Sequence, residues 1–169
     1  MHITATVRTY IGPGSSRIAG QLLQEQGLDK VLVICDPNIE AAGLSSDILE
    51  SLHSAGCSIT MHTGIPADPS DTVIDQIAAL CRKNQCQAVV AIGGGSCMDA
   101  GKCVAFLQHN PGHIRDYLLT PSRSWQKGIP LIAIPTTAGT GSEITFGAVV
   151  TDSHTGRKIG IGGQEFFAW

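Results

Sequence analysis

The sequence lacks the features that would place a chain in a membrane, in a secretory pathway or on nucleic acid. No apolar run approaches the roughly 18 residues that a membrane-crossing helix requires. The first residues also do not place a charged region before an apolar stretch, as a signal peptide does. Lysine and arginine number 11 against 14 acidic residues, so the net charge of -3 supplies no basic field for nucleic acid. These absences predict a cytoplasmic protein without a membrane or nucleic-acid partner.

Charged residues are scarce as well, at 15% of the chain, whereas hydrophobic residues make up 43%. Disordered segments have the opposite balance, so this composition indicates a folded globular protein. A length of 169 residues is enough for one domain with a substantial core. We therefore expect a single domain over residues 1–169.

Ligand patterns for structural metals are missing too. No Cys-X-X-Cys occurs, and none of the six cysteines forms a zinc-finger spacing with a histidine. His109 and His113 are four residues apart, but Pro111 lies between them and argues against the helix that would align them. We expect the cysteines to be small buried hydrophobic residues. Cys97 is the exception, because a helix start is predicted there and would stabilise a thiolate.

What the chain does contain is a regular alternation of short apolar runs with amphipathic segments. The predicted strands are residues 3–11 at a sheet edge, 30–36, 58–62, 88–92 and 128–135. The predicted helices are residues 16–26, 44–55, 72–81 after a capping Ser70, and one that starts near Ser96. This alternation is typical of an α/β fold with a parallel sheet and helices on both faces. Residues 109–128 are predicted as a surface loop, and residues 144–151 and 157–161 as a β-hairpin.

Three consecutive glycines, Gly93–Gly95, directly follow the apolar run and are called the glycine turn below. Ser96 is predicted to cap the following helix, Asp99 to lie in or near its first turn, and Lys102 to add positive charge close by. A strand, a glycine turn and a helix N-terminus together bind phosphate through free backbone N–H groups. The pattern is neither G-x-G-x-x-G nor a P-loop, so a purely structural turn remains an alternative.

A second polar loop, residues 136–143, follows the strand predicted at 128–135 and is called the threonine loop below. Its hydroxyls and glycine N–H groups suit phosphate, ribose or amide groups, although such a loop can also satisfy its own backbone. Asp36 ends another predicted strand, where a carboxylate can accept hydrogen bonds from a ribose diol or simply start a turn with Pro37. Ligands of parallel sheets bind beyond the carboxyl ends of the strands, where all three features are predicted.

At these residues the chain resembles the iron-containing (group III) alcohol dehydrogenases. The resemblance depends on Gly93-Gly-Gly-Ser96 with Asp99 and Lys102, and equally on Ile134-Pro-Thr-Thr-Ala-Gly-Thr-Gly-Ser-Glu143. Both stretches come in the family's order and separation, and together they are specific. The resemblance covers nearly the whole chain, to about Gly160.

The resemblance implies a Rossmann-like domain that binds NAD, with NADP possible. The cofactor-binding residues that it implies are Asp36, Gly93, Gly94, Gly95, Ser96, Asp99, Thr136, Thr137, Thr140 and Lys158. Among them, Gly94, Gly95 and Ser96 would contact the diphosphate, and the threonines would line the ribose and nicotinamide side. Asp36 would bind the adenosine ribose and disfavour the 2′-phosphate of NADP. Asp99 would lie near the nicotinamide, and Lys158 in the hairpin would approach the cofactor.

The family's helical metal-binding domain is absent from these 169 residues. In the family that domain holds Fe²⁺ or Zn²⁺ through an Asp and three His, and none of the six histidines here matches a ligand. The resemblance therefore implies a truncated domain with no catalytic or metal residue of its own. Such a chain would be inactive alone, and its bare face would favour a homo-oligomer.

The full enzyme would interconvert small alcohols with aldehydes or ketones by hydride transfer. Two alternatives remain open. One is a non-catalytic nucleotide-binding or interaction module, which the missing metal ligands favour. The other is a relative of the polyol or glycerol dehydrogenases, which share similar glycine loops.

Overall fold

The protein is described by a computed structural model over residues 7–119 and 125–169. Four parallel strands form one sheet in the order β2-β1-β3-β4, and two antiparallel strands form a hairpin. The sheet strands are β1 Lys30–Cys35, β2 Ser58–Thr63, β3 Ala88–Gly93 and β4 Leu131–Pro135. The hairpin strands are β5 Gly147–Thr151 and β6 Lys158–Gly162. The predicted parallel sheet and hairpin are both confirmed.

Six α-helices connect these strands within the described part of the chain. They are α1 Ala19–Glu25, α2 Pro37–Ala41, α3 Ser46–Ser54, α4 Asp71–Lys83, α5 Gly95–Leu107 and α6 Ile114–Leu119. Short 3-10 turns cover Ser15–Ile18 and Gln164–Phe166. Ser70 caps α4 by accepting a hydrogen bond from the Val73 N–H group at 3.4 Å, as predicted.

The alternation of side chains along β1 and β3 divides the core into two layers. Val31 and Val33 of β1 pack with α1 and α3 on one face of the sheet. Leu32 and Ile34 point to the other face, where they join α4 and α5. Because both strands are buried on both faces, their sequences are continuous apolar runs. Helices therefore cover both faces of the sheet, as expected.

Aromatic residues from the later part of the chain pack on helix α5, and the last residue lies at the edge of the sheet. Phe166 stacks on Phe106 of α5 with the ring centroids 4.7 Å apart, and Trp125 contacts Phe106 edge-on at 5.5 Å. The Trp169 N–H group donates to the Leu131 carbonyl at 2.8 Å, at the edge of β4. Trp125 therefore serves in packing.

Two predicted elements were wrong, and a third begins later in the chain than expected. The strand expected at residues 3–11 is not formed over residues 7–11, and residues 3–6 lie outside the described part of the chain. Residues 8–14 are exposed, and β-branched residues form a strand only when a neighbouring strand pairs with them. The strand expected from residue 144 begins only at Gly147.

The predicted surface loop at residues 109–128 contains helix α6. The first amides of α6 are satisfied from a distance, because Asp75 of α4 accepts a hydrogen bond from the Ile114 N–H group at 2.9 Å. Asp116 also accepts from the His113 N–H group at 3.1 Å. The bond from Asp75 leaves no local signal in the sequence because it comes from another helix, and Pro111 just before α6 argued for a loop, so the helix was missed.

No helix within residues 7–119 and 125–169 is both long enough and apolar enough to cross a membrane.

Candidate functional site

The structure brings the glycine turn and the threonine loop together at one edge of the sheet. A Cβ atom at Gly94 would lie 3.3 Å from the Thr137 hydroxyl, and one at Gly95 would lie 3.7 Å from the Thr140 Cβ. Any larger residue in the turn would therefore occupy the space between the two loops. The strand order also reverses between β1 and β3, and the crevice outside this reversal is where such sheets bind ligands.

Helix α5 begins at Gly95, with Gly94 as its N-cap. The expectation that Ser96 caps this helix was wrong, since Ser96 is the second helical residue. Glycine has no side-chain oxygen, so no cap side chain covers the first amides of α5. Those amides and the positive end of the helix dipole face the crevice, which is an arrangement that suits an anion.

The side chain of Ser96 is used by a neighbouring loop instead. Its hydroxyl accepts a hydrogen bond from the Asp68 N–H group at 3.2 Å. Asp68 adopts a left-handed conformation with φ of 55°, which is unusual for a residue other than glycine. The Asp68 carbonyl accepts from the Thr151 hydroxyl at 3.1 Å, so this loop joins α5 to the hairpin.

Lys158, at the start of β6, contacts the same loop through Asp68. Its Nζ lies 2.8 Å from the Asp68 carboxylate, and both side chains are about half exposed. Lys158, which the resemblance implies near the cofactor, is thus connected to Ser96 through Asp68, a residue that was not among the expected site residues. The signal that could have revealed Asp68 is its position before Pro69 in a loop that follows a strand.

Asp36 follows β1 and lies against the glycine turn, because a Cβ atom at Gly93 would come 3.3 Å from the Asp36 Cβ. Its Oδ1 accepts a hydrogen bond from the Asn38 N–H group at 2.8 Å and caps the short helix α2. The simpler interpretation of Asp36, as the start of a turn, is thus realised. The carboxylate still lies at the crevice between β1 and β3, so a role toward a ribose stays a prediction.

Asp99 is hydrogen-bonded to the threonine loop and to β5. Its Oδ1 accepts a hydrogen bond from the Ser142 hydroxyl at 2.5 Å, and its Oδ2 accepts from the Val149 N–H group at 2.9 Å. Asp99 is the fifth residue of α5 and so lies in the second turn. Both of its carboxylate oxygens are engaged by the protein itself.

Lys102 does not place its charge at the glycine turn, so that expectation was wrong. It is 1% exposed, and its Nζ donates to the carbonyls of Thr145 at 3.0 Å and Gly147 at 2.7 Å. Burial lowers the pKa of its amine, and the nearby Asp99 carboxylate acts in the opposite direction. Lys102 therefore binds the segment that leads into β5.

The expectation of a stabilised thiolate at Cys97 was also wrong. Cys97 is 3% exposed, and its Sγ contacts the carbonyl oxygens of Ile92 at 3.4 Å and Ile34 at 3.5 Å. Burial raises the pKa of its thiol to about 12, because a charge is poorly solvated there. All six cysteines are free and buried, as expected for small hydrophobic residues.

The described residues do not fit a metal ion. They contain no group of three or more His, Cys, Asp or Glu side chains arranged to hold one. The Nδ1 of His113 lies 2.7 Å from Asp75, and the Nδ1 of His109 lies 2.8 Å from the Lys127 carbonyl. No chemical step through a metal can therefore be assigned to this part of the chain.

A separate cleft of about 760 Å³ runs along the outer edge of β4. Its walls include Tyr10, Ile11, Ile134, Ile144 and Trp169. The cleft touches the threonine loop only at Glu143, so it is distinct from the crevice between β1 and β3.

Comparison with known proteins places this geometry in a family. The model of the family "Iron-containing alcohol dehydrogenase" matches residues 6–168. The probable alcohol dehydrogenase EutG of Escherichia coli (strain K12) is 39% identical, over 89% of this chain and 38% of that protein. The NAD-dependent methanol dehydrogenase of Bacillus methanolicus is 36% identical, over 89% of this chain and 39% of that protein.

A solved structure shows the same fold. The crystal structure of sulfoacetaldehyde reductase from Bifidobacterium kashiwanohense, in complex with NAD⁺, superposes with a TM-score of 0.87 at 31% identity. It matches 99% of this chain and 44% of that one. The chain thus spans less than half the length of each of these relatives. The family match over residues 6–168, together with the paired glycine turn and threonine loop, shows that the chain belongs to the iron-containing alcohol dehydrogenase family.

Proposed function

We propose that this chain binds NAD in the crevice between β1 and β3 and forms the cofactor-binding part of an alcohol dehydrogenase. One observation carries the proposal. The glycine turn lies against the threonine loop above the uncapped start of α5, so backbone amides and hydroxyl groups converge on one opening. This convergence is what a diphosphate joined to two riboses requires.

Each group of residues would contact a different part of the dinucleotide. The amides of Gly95 and Ser96 at the start of α5 would bind the diphosphate, because glycines let its oxygens approach the backbone. Thr137 and Thr140 would face the ribose and nicotinamide side from the threonine loop. Gly93 would support the turn from below, where it packs against Cys97. Thr136 extends the hydrogen bonding between β3 and β4 by one residue, since its N–H group donates to the Gly93 carbonyl at 3.0 Å.

The choice of NAD over NADP is supported by Asp36. Its carboxylate lies at the end of β1, where it would accept from a ribose diol and repel a 2′-phosphate. Lys158, the cation that the resemblance implies near the cofactor, has its amine paired with Asp68 at 2.8 Å. A 2′-phosphate would therefore meet an acidic group, while the lysine that could offset the repulsion is already engaged.

The proposed reaction is the interconversion of small alcohols and aldehydes or ketones by hydride transfer. The names of the relatives support it, since one is an NAD-dependent methanol dehydrogenase and another a sulfoacetaldehyde reductase in complex with NAD⁺. The bound NAD would supply or accept the hydride. We propose further that these 169 residues, tested alone, bind the dinucleotide without turnover, because the described part does not fit the metal that the family's name implies.

Titration with NADH and NADPH, followed by nicotinamide fluorescence and by calorimetry, tests the proposal. We expect saturable binding of NADH and weaker binding of NADPH. Gly94→Val should abolish binding, because its side chain would fill the space in front of Thr137. Gly160→Val is the matched control, since nothing lies within 4 Å of a Cβ atom at that position.

Absence of binding at millimolar NADH would refute the cofactor role. Alcohol oxidation by the 169-residue chain with added Fe²⁺ or Zn²⁺ would instead refute the proposal that it binds without turnover. It would also exclude the non-catalytic module.

Assembly into a homo-oligomer is a further proposal. Apolar side chains at Ile11, Ile144 and Phe146 are more than half exposed, and two of them line the cleft beside β4. Burying such a surface against a second copy would release ordered water. Sedimentation velocity over a range of concentrations tests this, and a monomer at every concentration would refute it.

A further inference from the structure

The threonine loop is held in place by few contacts of its own. It contains two glycines in the left-handed region, Gly139 with φ of 91° and Gly141 with φ of 64°. Residues 136–140 are all exposed, and Ser142 is the only buried residue of the loop, at 6% exposure. A glycine-containing loop without a buried apolar side chain has little packing to select one conformation. Its position must therefore come from the element beneath it.

That element is the second turn of α5, and its first contact is Asp99. The carboxylate accepts from the Ser142 hydroxyl at 2.5 Å, so it holds the single buried side chain of the loop. The other oxygen accepts from the Val149 N–H group at 2.9 Å, which ties the same carboxylate to β5. Hydrogen bonds to a charged acceptor are stronger than neutral ones, and two of them converge on one side chain.

The second contact is Lys102, which follows Asp99 by three residues and so lies on the same side of α5. Its amine donates to the Thr145 and Gly147 carbonyls and lies 3.2 Å from the Thr145 hydroxyl. These acceptors lie just after the threonine loop, on the way into β5. Asp99 thus connects the end of the threonine loop to α5, and Lys102 connects the segment after the loop to the same helix.

We propose that Asp99 and Lys102 are positioning residues, which hold Thr137 and Thr140 over the glycine turn and do not themselves contact the cofactor. The inference rests on the proposed function for its binding readout. It also gives a role to the acid and the lysine that follow the glycine turn, since both are hydrogen-bonded to the segments packed on α5. Each Asp99 oxygen accepts a hydrogen bond from the protein itself, and the buried Lys102 amine donates to backbone carbonyls.

Asparagine provides a test, because it keeps the shape of Asp99 and removes its charge. Its Oδ1 would accept from the Val149 N–H group, and its Nδ2 would donate to the Ser142 oxygen, since a hydroxyl can also accept. Asp99→Asn should therefore preserve both connections. Asp99→Ala removes both of them, and Ser142→Ala removes only the one to the loop.

The experiment measures NADH and ADP affinities for wild type, Asp99→Asn, Asp99→Ala and Ser142→Ala. ADP would contact the glycine turn but not the nicotinamide side of the crevice. We expect Asp99→Ala and Ser142→Ala to weaken NADH binding about tenfold more than ADP binding, which is the loss of roughly one charged hydrogen bond. Asp99→Asn should recover NADH affinity to within about threefold of wild type.

Equal losses for NADH and ADP would overturn the inference, because a general loss of stability affects both ligands. Asp99→Asn binding as poorly as Asp99→Ala would also overturn it, by showing that the charge itself is needed. Amide hydrogen exchange in residues 137–146 provides a readout that does not use the cofactor. It should rise in Asp99→Ala and not in Asp99→Asn. If wild type binds no NADH, the proposed function fails, and hydrogen exchange alone decides the positioning role.

Discussion

The two halves of the candidate site are stabilised in different ways. The glycine turn is part of the core, because β3 is buried on both faces and a Cβ atom at Gly93 would lie 2.7 Å from the Cys97 Cβ. The threonine loop is mostly exposed, and it and the hairpin, whose inward side chains are buried in the core, are also held by hydrogen bonds to charged side chains such as Asp99, Lys102 and Asp152. Packing defines the first half and electrostatics the second. A change in side-chain volume should therefore affect the turn, whereas a change in charge should affect the loop and the hairpin.

The largest effect is expected for Gly93→Ala. The added methyl group would lie 2.7 Å from the Cys97 Cβ and 3.3 Å from the Asp36 Cβ, where there is no room. We expect the free energy of unfolding to fall by about 2–3 kcal/mol, as for overpacked cores. Urea denaturation measures it, with Gly160→Ala as the control, because that position is open. Equal stability of the two variants would show that the turn is not constrained by packing.

An intermediate effect on stability is expected at low pH, and it should begin at the hairpin, which Asp152 helps to hold. The Thr155 hydroxyl and the His154 N–H group hydrogen-bond to Asp152 and lower the pKa of this carboxyl from 3.8 to about 2. A folded-state pKa below the unfolded value stabilises the fold above about pH 4, and this contribution is lost as pH falls toward 2. Arg115 also donates to Asp152 at 3.0 Å and joins α6 to the hairpin.

Asp152→Asn tests the assignment of this acid sensitivity. The variant should be less stable than wild type at pH 7, and the difference should shrink between pH 4 and pH 2. Thermal unfolding across this range measures both curves. Parallel curves for the two proteins would mean that Asp152 does not account for the acid sensitivity.

The smallest effect on stability is expected for Lys158→Ala. Its ion pair with Asp68 is about half exposed, so water and salt screen it. The free energy of unfolding should fall by less than about 1 kcal/mol. If Lys158 approaches the cofactor as the resemblance implies, the NADH affinity should fall although the stability barely changes. Urea denaturation and NADH titration of the same variant separate the effect on stability from the effect on binding. A large loss of stability would contradict the interpretation of this ion pair as screened by solvent.

Much of the fold could be predicted because its signals are local. The apolar runs of β1 and β3 and the amphipathic pattern of α4 predicted their elements to within about two residues. Ser70 was identified as a cap because its hydroxyl serves a helix three residues on. Helix α6 was missed for the opposite reason, since Asp75 on another helix satisfies its first amide. The residues that line the crevice were located for the same local reason, as loops that directly follow strands.

The direction of individual side chains was less predictable. Asp99, Lys102 and Cys97 were all expected to influence a ligand at the start of α5. In the folded chain Asp99 binds the threonine loop, Lys102 binds the segment before β5, and Cys97 is buried beneath the turn. Which face of α5 a residue occupies depends on where the helix begins, and it begins at Gly95. What covers that face depends on the hairpin, which is about 50 residues away in sequence.

The order of residues alone was enough to establish a parallel sheet and two polar loops at the carboxyl ends of its strands. Alternation and glycine placement are short-range properties of the backbone, and they can be recognised before any contact is known. The assembled molecule was needed to show that Asp99 and Lys102 hold a loop and that Asp68 connects Ser96 to Lys158. Those roles depend on contacts between segments far apart along the chain, and such contacts form only when the helices and the hairpin pack together.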